Sequence, residues 1–440
     1  MKRKWYMLVV FAALILLLSG CNLGTVKEMY RVPIRSEAYQ NLQKLIDEVM
    51  TDAQYSAPLS GTNLQTVQMA DLDGDEFVEY LLFSKTGSDK PLRISIFSVS
   101  QGGYALVDTI ECSGAAFDQV EYAQIDGLGG LDIIVGRQIG EQVVRTLSVY
   151  SMHDGQMEQI LSTNYSKFLR TDLDENGRSE LFVLRPAESA SENGIAELYT
   201  VRNGIMSRSP EVQMTRPVES IKKVMVSMLY NDVPAVYVAS DVDGSAIVTD
   251  VFSVVNGQLA NVTKNGEHDT NVNTLRNYYV YADDIDADGV LELPDLMEMR
   301  MPEGTVGTQS QHLIRWYALT SLGEVVDKLY TYHNYVGGWY LRLTESYVDR
   351  LTVSQQGNSY IFSIWNEDYT LQQPLMTIYV LTGQNREEQA VMDNRFVLLR
   401  TEGTVYAASL EVVSVEHGLS QHVLINNFEL IREEWNPSGT

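Results

Sequence analysis

Carboxylates recur at a fixed spacing in this chain. Asp71, Asp73 and Asp75 alternate along "DLDGDEFVE", and Glu79 closes the stretch at its ninth place. The same places hold Asp172, Asp174, Asn176 and Glu180 in "DLDENGRSE", and Asp284, Asp286, Asp288 and Glu292 in "DIDADGVLE". Alternate side chains converge on one point when such a loop curls, and carboxylate and amide oxygens suit a hard cation with six to eight oxygen ligands, calcium above all. A main-chain carbonyl at the seventh place (Phe77, Arg178, Val290) is a further expected ligand. A helical calcium hand is excluded, because it needs a glutamate at the twelfth place, where these loops have Leu82, Val183 and Asp295.

The elements that position the acids repeat as well. Each loop precedes a short apolar run, and each is followed by an aromatic residue in a strand and then a glycine turn, the pattern of a β-hairpin. The aromatics are Phe97, Tyr150, Tyr199, Phe252 and Tyr317, with turn glycines Gly102, Gly155, Gly204, Gly257 and Gly323. Loop and aromatic are 26 residues apart from Asp71, 27 from Asp172 and 33 from Asp284. A worn loop at Gln124 also lies 26 residues before its aromatic; it keeps Asp126 and Asp132 but has Gln124 and Leu128, too few ligands for a tight site. The "DVDG" at Asp241 comes only 11 residues before Phe252, so it reads as a hairpin turn, where Asp and Gly are favoured for backbone reasons. The fourth loop then falls near Ser227 to Tyr237 and has lost the acidic pattern.

Loops near 71, 124, 172, 227 and 284 recur every 48 to 57 residues. Four short strands per period is the pattern of a propeller blade. The expected fold is an all-β propeller of about five visible four-stranded blades over residues 60–334, with a small C-terminal α+β domain over 335–440. Residues 36–50 place Leu42, Leu45, Ile46 and Val49 at helical spacing, a short helix expected to pack on the propeller.

Taken together, the acidic motif and its period resemble the FG-GAP or VCBS-type repeat of integrin-α-like β-propellers, over roughly residues 60 to 332. The resemblance implies calcium bound between two strands of a blade, stiffening it, with the ligand roles falling on the twelve residues named above. The first loop departs from the pattern in having Glu76 where a glycine is usual. The expected ion is structural, since carboxylates crowded in a loop repel one another and an ion removes that cost.

The N-terminus has Lys2, Arg3 and Lys4, an apolar run from Trp5 to Leu18, and then Leu18-Ser19-Gly20-Cys21. A basic head, a short apolar core and small residues before a cysteine make a secretory signal peptide over residues 1–20. Leu-Ser-Gly-Cys resembles the bacterial lipobox, which implies lipid on Cys21, a tether through 21–59 that includes the short helix, and a protein anchored outside the cytoplasm. Cys112 is then the only other cysteine, so no internal disulfide is expected. The formal net charge of −26 disfavours nucleic acid and favours cations or basic partners.

No catalytic motif accompanies the acids. His153, His268, His312, His333, His417 and His422 form no metal-binding pair, and no nucleophile elbow, Walker loop or dinucleotide fingerprint is present. The expectation is a non-catalytic surface binding or scaffold lipoprotein with calcium-stiffened blades, its partner an extracellular protein or polysaccharide. The alternative is a carbohydrate-active or cell-wall-acting propeller enzyme with an acidic pair outside the repeat loops.

Overall fold

A computed structural model describes residues 37–100, 103–140, 145–188, 192–202, 205–264, 274–278, 280–300, 312–432 and 435. The expected signal peptide, Cys21, Gly102, Gly204 and His268 lie outside the described residues.

Among the described residues six antiparallel sheets follow one another along the chain, most of them meanders of neighbouring strands, and the fold is all-β of the propeller class. The first sheet contains β1 (Gln54–Tyr55), β2 (Val67–Ala70), β3 (Glu79–Lys85), β4 (Leu92–Ser100) and β5 (Gly103–Cys112). Here β1 and β2 share the outer edge of β3, pairing with its two halves. The second contains β6 (Ala116–Ala123), β7 (Asp132–Gln138), β8 (Arg145–His153) and β9 (Gln156–Tyr165). The third has β10 (Lys167–Thr171), β11 (Glu180–Arg185), β12 (Ile195–Arg202), β13 (Ile205–Arg208) and the short β14 (Val212–Gln213). The fourth has β15 (Ile221–Met228), β16 (Pro234–Val242), β17 (Ala246–Val255) and β18 (Gln258–Asn261).

The apolar runs seen in the sequence are the second strands of these sheets. In β3, β7, β11 and β16 nearly every residue is buried, so both faces are covered. Continuous apolar sequence is what such a strand requires. Each fully buried Val, Leu, Ile or Phe there contributes roughly 1.5–3 kcal/mol. The fourth strands, such as β5, face solvent over much of their length.

The fifth sheet contains β19 (Leu293–Glu298), β20 (His312–Leu319), β21 (Val325–Asn334), β22 (Trp339–Leu343) and, from the far end of the chain, β28 (Phe428–Leu430). The sixth has β23 (Leu351–Gln356), β24 (Ser359–Trp365), β25 (Gln372–Thr382), β26 (Phe396–Arg400) and β27 (Thr404–Leu410). The boundary expected at 335 therefore falls inside a sheet, because β22 pairs with β21 from Tyr330↔Leu343 to Asn334↔Trp339. The C-terminal segment also shares its core with that sheet: Tyr332, Trp339, Phe362 and Phe428 belong to one buried cluster, and Trp339 stacks on Phe428 at 5.4 Å. Its short helices are Glu345–Val348, Arg386–Gln389 and Gln421–Asn427.

Two compact units divide the chain, one running to Val120 and including Met152–Glu158, the other comprising Glu121–Ser151 and everything from Gln159. In the first, the helix Glu37–Val49 forms as its spacing predicts and buries Leu42 and Ile46 against Leu82 and Phe97. Asn41 Oδ1 accepts the Tyr104 main-chain N–H at 2.6 Å and fixes the helix to β5. Asp243 and Gly244 both have positive φ in the tight turn between β16 and β17, so the "DVDG" segment is a hairpin turn.

Candidate metal centres

The first and third acidic loops join β2 to β3 and β10 to β11, and the fifth leads into β19, all in one register. Ala70 pairs with Glu79, Thr171 with Glu180 and Asp283 with Glu292, so the residue before the loop always faces its ninth place. Positions four and six are left-handed in every case: Gly74 and Glu76, Glu175 and Gly177, Ala287 and Gly289. Glu76 adopts this conformation although it is not glycine, so the first loop keeps the turn despite its departure from the motif. The worn loop has the same frame, with positive φ at Gly127 and Gly129.

Side-chain oxygens bind the curled backbone. The first-place aspartate accepts two N–H groups: Asp71 from Gly74 and Glu76, Asp172 from Asn176 and Gly177, Asp284 from Asp288 and Gly289, at 2.7 to 3.1 Å. Asp73, Asp174 and Asp286 each accept the N–H two residues on at 3.2 Å. Asp75, Asn176 and Asp288 accept the N–H of position seven at 2.8 to 2.9 Å. The ninth-place glutamate is fully or almost fully buried and accepts the N–H of position two: Leu72 to Glu79 and Leu173 to Glu180 at 2.8 Å, Ile285 to Glu292 at 3.1 Å.

This brings positions one, three and nine together. Asp71, Asp73 and Glu79 each offer an oxygen within 4.8 Å of the others, as do Asp172, Asp174 and Glu180, and Asp284, Asp286 and Glu292. Three carboxylates this close, one of them buried, cannot all ionise without mutual repulsion. Glu180 is pushed up to about 7 and Glu292 to about 8, burial being the main cause and neighbouring aspartates adding to it. Glu79 and Asp73 are also raised, again by burial first. An all-oxygen, strained anionic set of this kind fits a hard divalent cation, which would supply the missing positive charge.

The loops differ in what meets the buried glutamate. Ser98, the residue after the hairpin aromatic, donates to Glu79 Oε1 at 2.8 Å. In the third loop Asn176 Nδ2 donates to Glu180 Oε1 at 3.2 Å. In the fifth, Ala318 follows the aromatic and has no hydroxyl, and Glu292 Oε1 is buried without a hydrogen bond. Lys328 stands there instead: its ammonium binds Asp288 Oδ2 and lies 3.6 Å from Asp286 Oδ2 and 3.9 Å from Glu292 Oε1. That hydrogen bond holds Asp288 below the ordinary carboxylate value. Burial works against the Lys328 charge, yet Asp288, Asp286 and Glu292 hold it above its ordinary value.

The worn loop is closed by hydrogen bonds. Asp132 Oδ2 accepts the N–H of Ile125 and Asp126, Ser151 donates to Asp126, and the Gln124 amide donates to Gly129 O at 2.8 Å. Ser98 and Lys328 were missed in the sequence because neither belongs to the nine-residue motif. The available signal was position relative to the hairpin aromatic.

Among the described residues the groups of acids close enough to share a metal ion are these three. His333 is buried among Trp316, Tyr335, Tyr340 and Trp435 and held far below its ordinary value by burial alone, and Cys112 is buried at 3% exposure.

No family model and no curated protein matches the chain. Among solved structures it is similar to Chaetomium thermophilum Sqt1, at 10% identity and a TM-score of 0.30 over 80% of this chain and 97% of that one. A rhamnogalacturonan lyase of Bacillus licheniformis follows at 12% identity and 0.26, over 73% and 72%. A protein from Lactobacillus plantarum gives 9% and 0.26, over 72% and 86%. Likeness this distant carries no inference about activity.

Proposed function

We propose that this chain is a lipid-anchored, non-catalytic binding or scaffold protein held outside the cytoplasm, whose propeller-type sheets are stiffened by calcium. The observation that carries the reading is the recurrence, in one register, of a carboxylate triad closed on a buried glutamate. The acids already accept loop N–H groups, but those hydrogen bonds leave three carboxylates within 4.8 Å of one another, whereas an ion bridging them would offset that repulsion and tie the strand before the loop to the strand after it. Sites of this kind in extracellular modules bind calcium at about 10⁻⁴–10⁻³ M, a range suited to the exterior of a cell. The leader and the Leu-Ser-Gly-Cys sequence support the anchor at Cys21. The solvated faces of the sheets are then available to a protein or polysaccharide partner.

Two experiments test this. Thermal unfolding is compared in millimolar calcium and in chelator, for the wild-type chain and for the triple variant Asp73→Ala, Asp174→Ala and Asp286→Ala. Calcium is expected to raise Tm in the first and not in the second, because it binds only the folded state; equal melts in both media reject the metal sites. Incorporation of labelled palmitate, abolished by Cys21→Ala, is expected for the anchor, and an unlabelled wild-type chain rejects it.

A further inference from the structure

The hairpin after each acidic loop has a residue that directly follows the strand partner of the hairpin aromatic. In the first sheet Phe97 pairs with Leu106 and Ile96 with Asp108, so Val107 is the extra residue of a bulge. In the fifth, Tyr317 pairs with Asp327 and Trp316 with Leu329, so Lys328 occupies the same bulge. In the third, Tyr199 pairs with Arg208, and the next residue, Ser209, exchanges hydrogen bonds with Leu198. Three equivalent positions thus hold Val107, Ser209 and Lys328, and only the last carries a charge.

The space beside this position shows what the lysine does. Next to Ser209 lies a cleft of about 230 Å³ lined by Asp174, Thr200, Ser207, Arg208 and Gln258, so a carboxylate of the third loop opens onto it. In the fifth sheet Lys328 extends from the bulge to Asp286, the counterpart of Asp174, and onward to Asp288 and Glu292. Its side chain is only 13% exposed, and the Tyr230 ring lies 5.2 Å from the ammonium. A tethered ammonium among three carboxylates has the charge sign and the contacts of a bound cation, and it costs no ion to recruit. A divalent ion entering the same cluster would face that positive charge within 4 Å.

We infer that Lys328 is the resident cation of the fifth loop, closing it to metal, so that calcium is confined to the loops at Asp71 and Asp172. This rests on the cation-binding reading of the repeat and narrows it: the fifth sheet is pinned at all calcium levels, while the first and third are pinned only when calcium is present. It also removes Asp284, Asp286, Asp288 and Glu292 from the metal ligands expected from the motif.

Calcium stoichiometry of the full chain in detergent, read by equilibrium dialysis and titration calorimetry, tests the inference through three variants. Lys328→Ser is expected to bind one more calcium per chain than wild type. Ser209→Lys, which places the same ammonium beside Asp174, is expected to bind one fewer. Asp286→Asn in the wild-type background is expected to leave the stoichiometry unchanged. That last variant keeps Lys328 and tests the inference even if Lys328→Ser fails to fold. A stoichiometry that falls by one in Asp286→Asn, or a folded Lys328→Ser chain that gains no ion, overturns it. A wild-type chain that binds no calcium rejects the wider calcium reading and this inference with it, whereas calcium binding by the wild type with no gain in folded Lys328→Ser overturns this inference alone.

Discussion

The third and fifth loops share a register, a pair of left-handed residues and a buried glutamate, and they differ in the group that faces the acids. Asn176 and an open cleft meet Glu180 and Asp174; an ammonium meets Glu292 and Asp286. The lesson is that a ligand motif describes one half of a site. The other half comes from a strand more than thirty residues on, and there a single residue decides whether the negative charge is balanced from solution or from within the chain.

The broadest way to stress this comparison is pH, which acts on every acidic loop at once. Because burial raises Glu180 to about 7 and Glu292 to about 8 from an ordinary 4.5, the folded chain holds these protons more tightly than the unfolded chain. The resulting stability is complete below about pH 4.5 and is lost as pH rises through 7 and 8. In chelator, Tm is therefore expected to fall across that interval. The increment produced by calcium should grow over the same range, since the ion binds ionised carboxylates. Glu180→Gln should flatten the lower part of the fall and Glu292→Gln the upper part; melts of both variants in a pH series check the assignment.

Removing the internal cation is next in size. Lys328→Met leaves Asp286, Asp288 and Glu292 without a counter-charge, and stability in chelator should drop by about 2 kcal/mol, less than for a fully buried pair because Asp288 is partly exposed. Calcium should restore most of it. Urea denaturation in the two media measures both terms, and an unchanged midpoint in chelator would make the lysine a bystander.

The smallest effects come from the hydroxyl after the hairpin aromatic. Ser98→Ala strips Glu79 of a donor and should cost about 1 kcal/mol. Ala318→Ser offers Glu292 Oε1 the donor it lacks and should gain about 0.5 kcal/mol. If both substitutions leave the urea midpoint where it was, the glutamate's second oxygen plays no part in distinguishing the loops.

Much of this frame was legible beforehand. Local patterns are enough to place an acidic loop between two strands and a hairpin after them, because propensity, turn chemistry and alternation act over a few residues. They also identified the turn at Asp243. What stayed hidden depends on pairing at a distance. Lys328 matters only through a bulge opposite Trp316 and Tyr317, and no motif spans that separation. Likewise the break in the repeat near residue 335 looked like a domain edge, although Trp339 continues the fifth sheet and buries itself in a core built from both sides of the break.

The strand β28 has a consequence for the order of folding. It pairs with β22 through Trp339↔Leu430 and Leu341↔Phe428, and Glu429 binds both Tyr340 and Arg342, 87 to 89 residues earlier. Closing a loop of that length carries an entropic cost and is slow, so the fifth sheet is expected to be completed after the sixth has formed between its two halves, an order that amide protection during refolding would check. Until then the outer edge of β22 is a bare row of hydrogen-bonding groups, open to pairing with another chain. A chain cut short before Phe428 would keep that edge permanently, and self-association rather than simple loss of stability would be its failure mode.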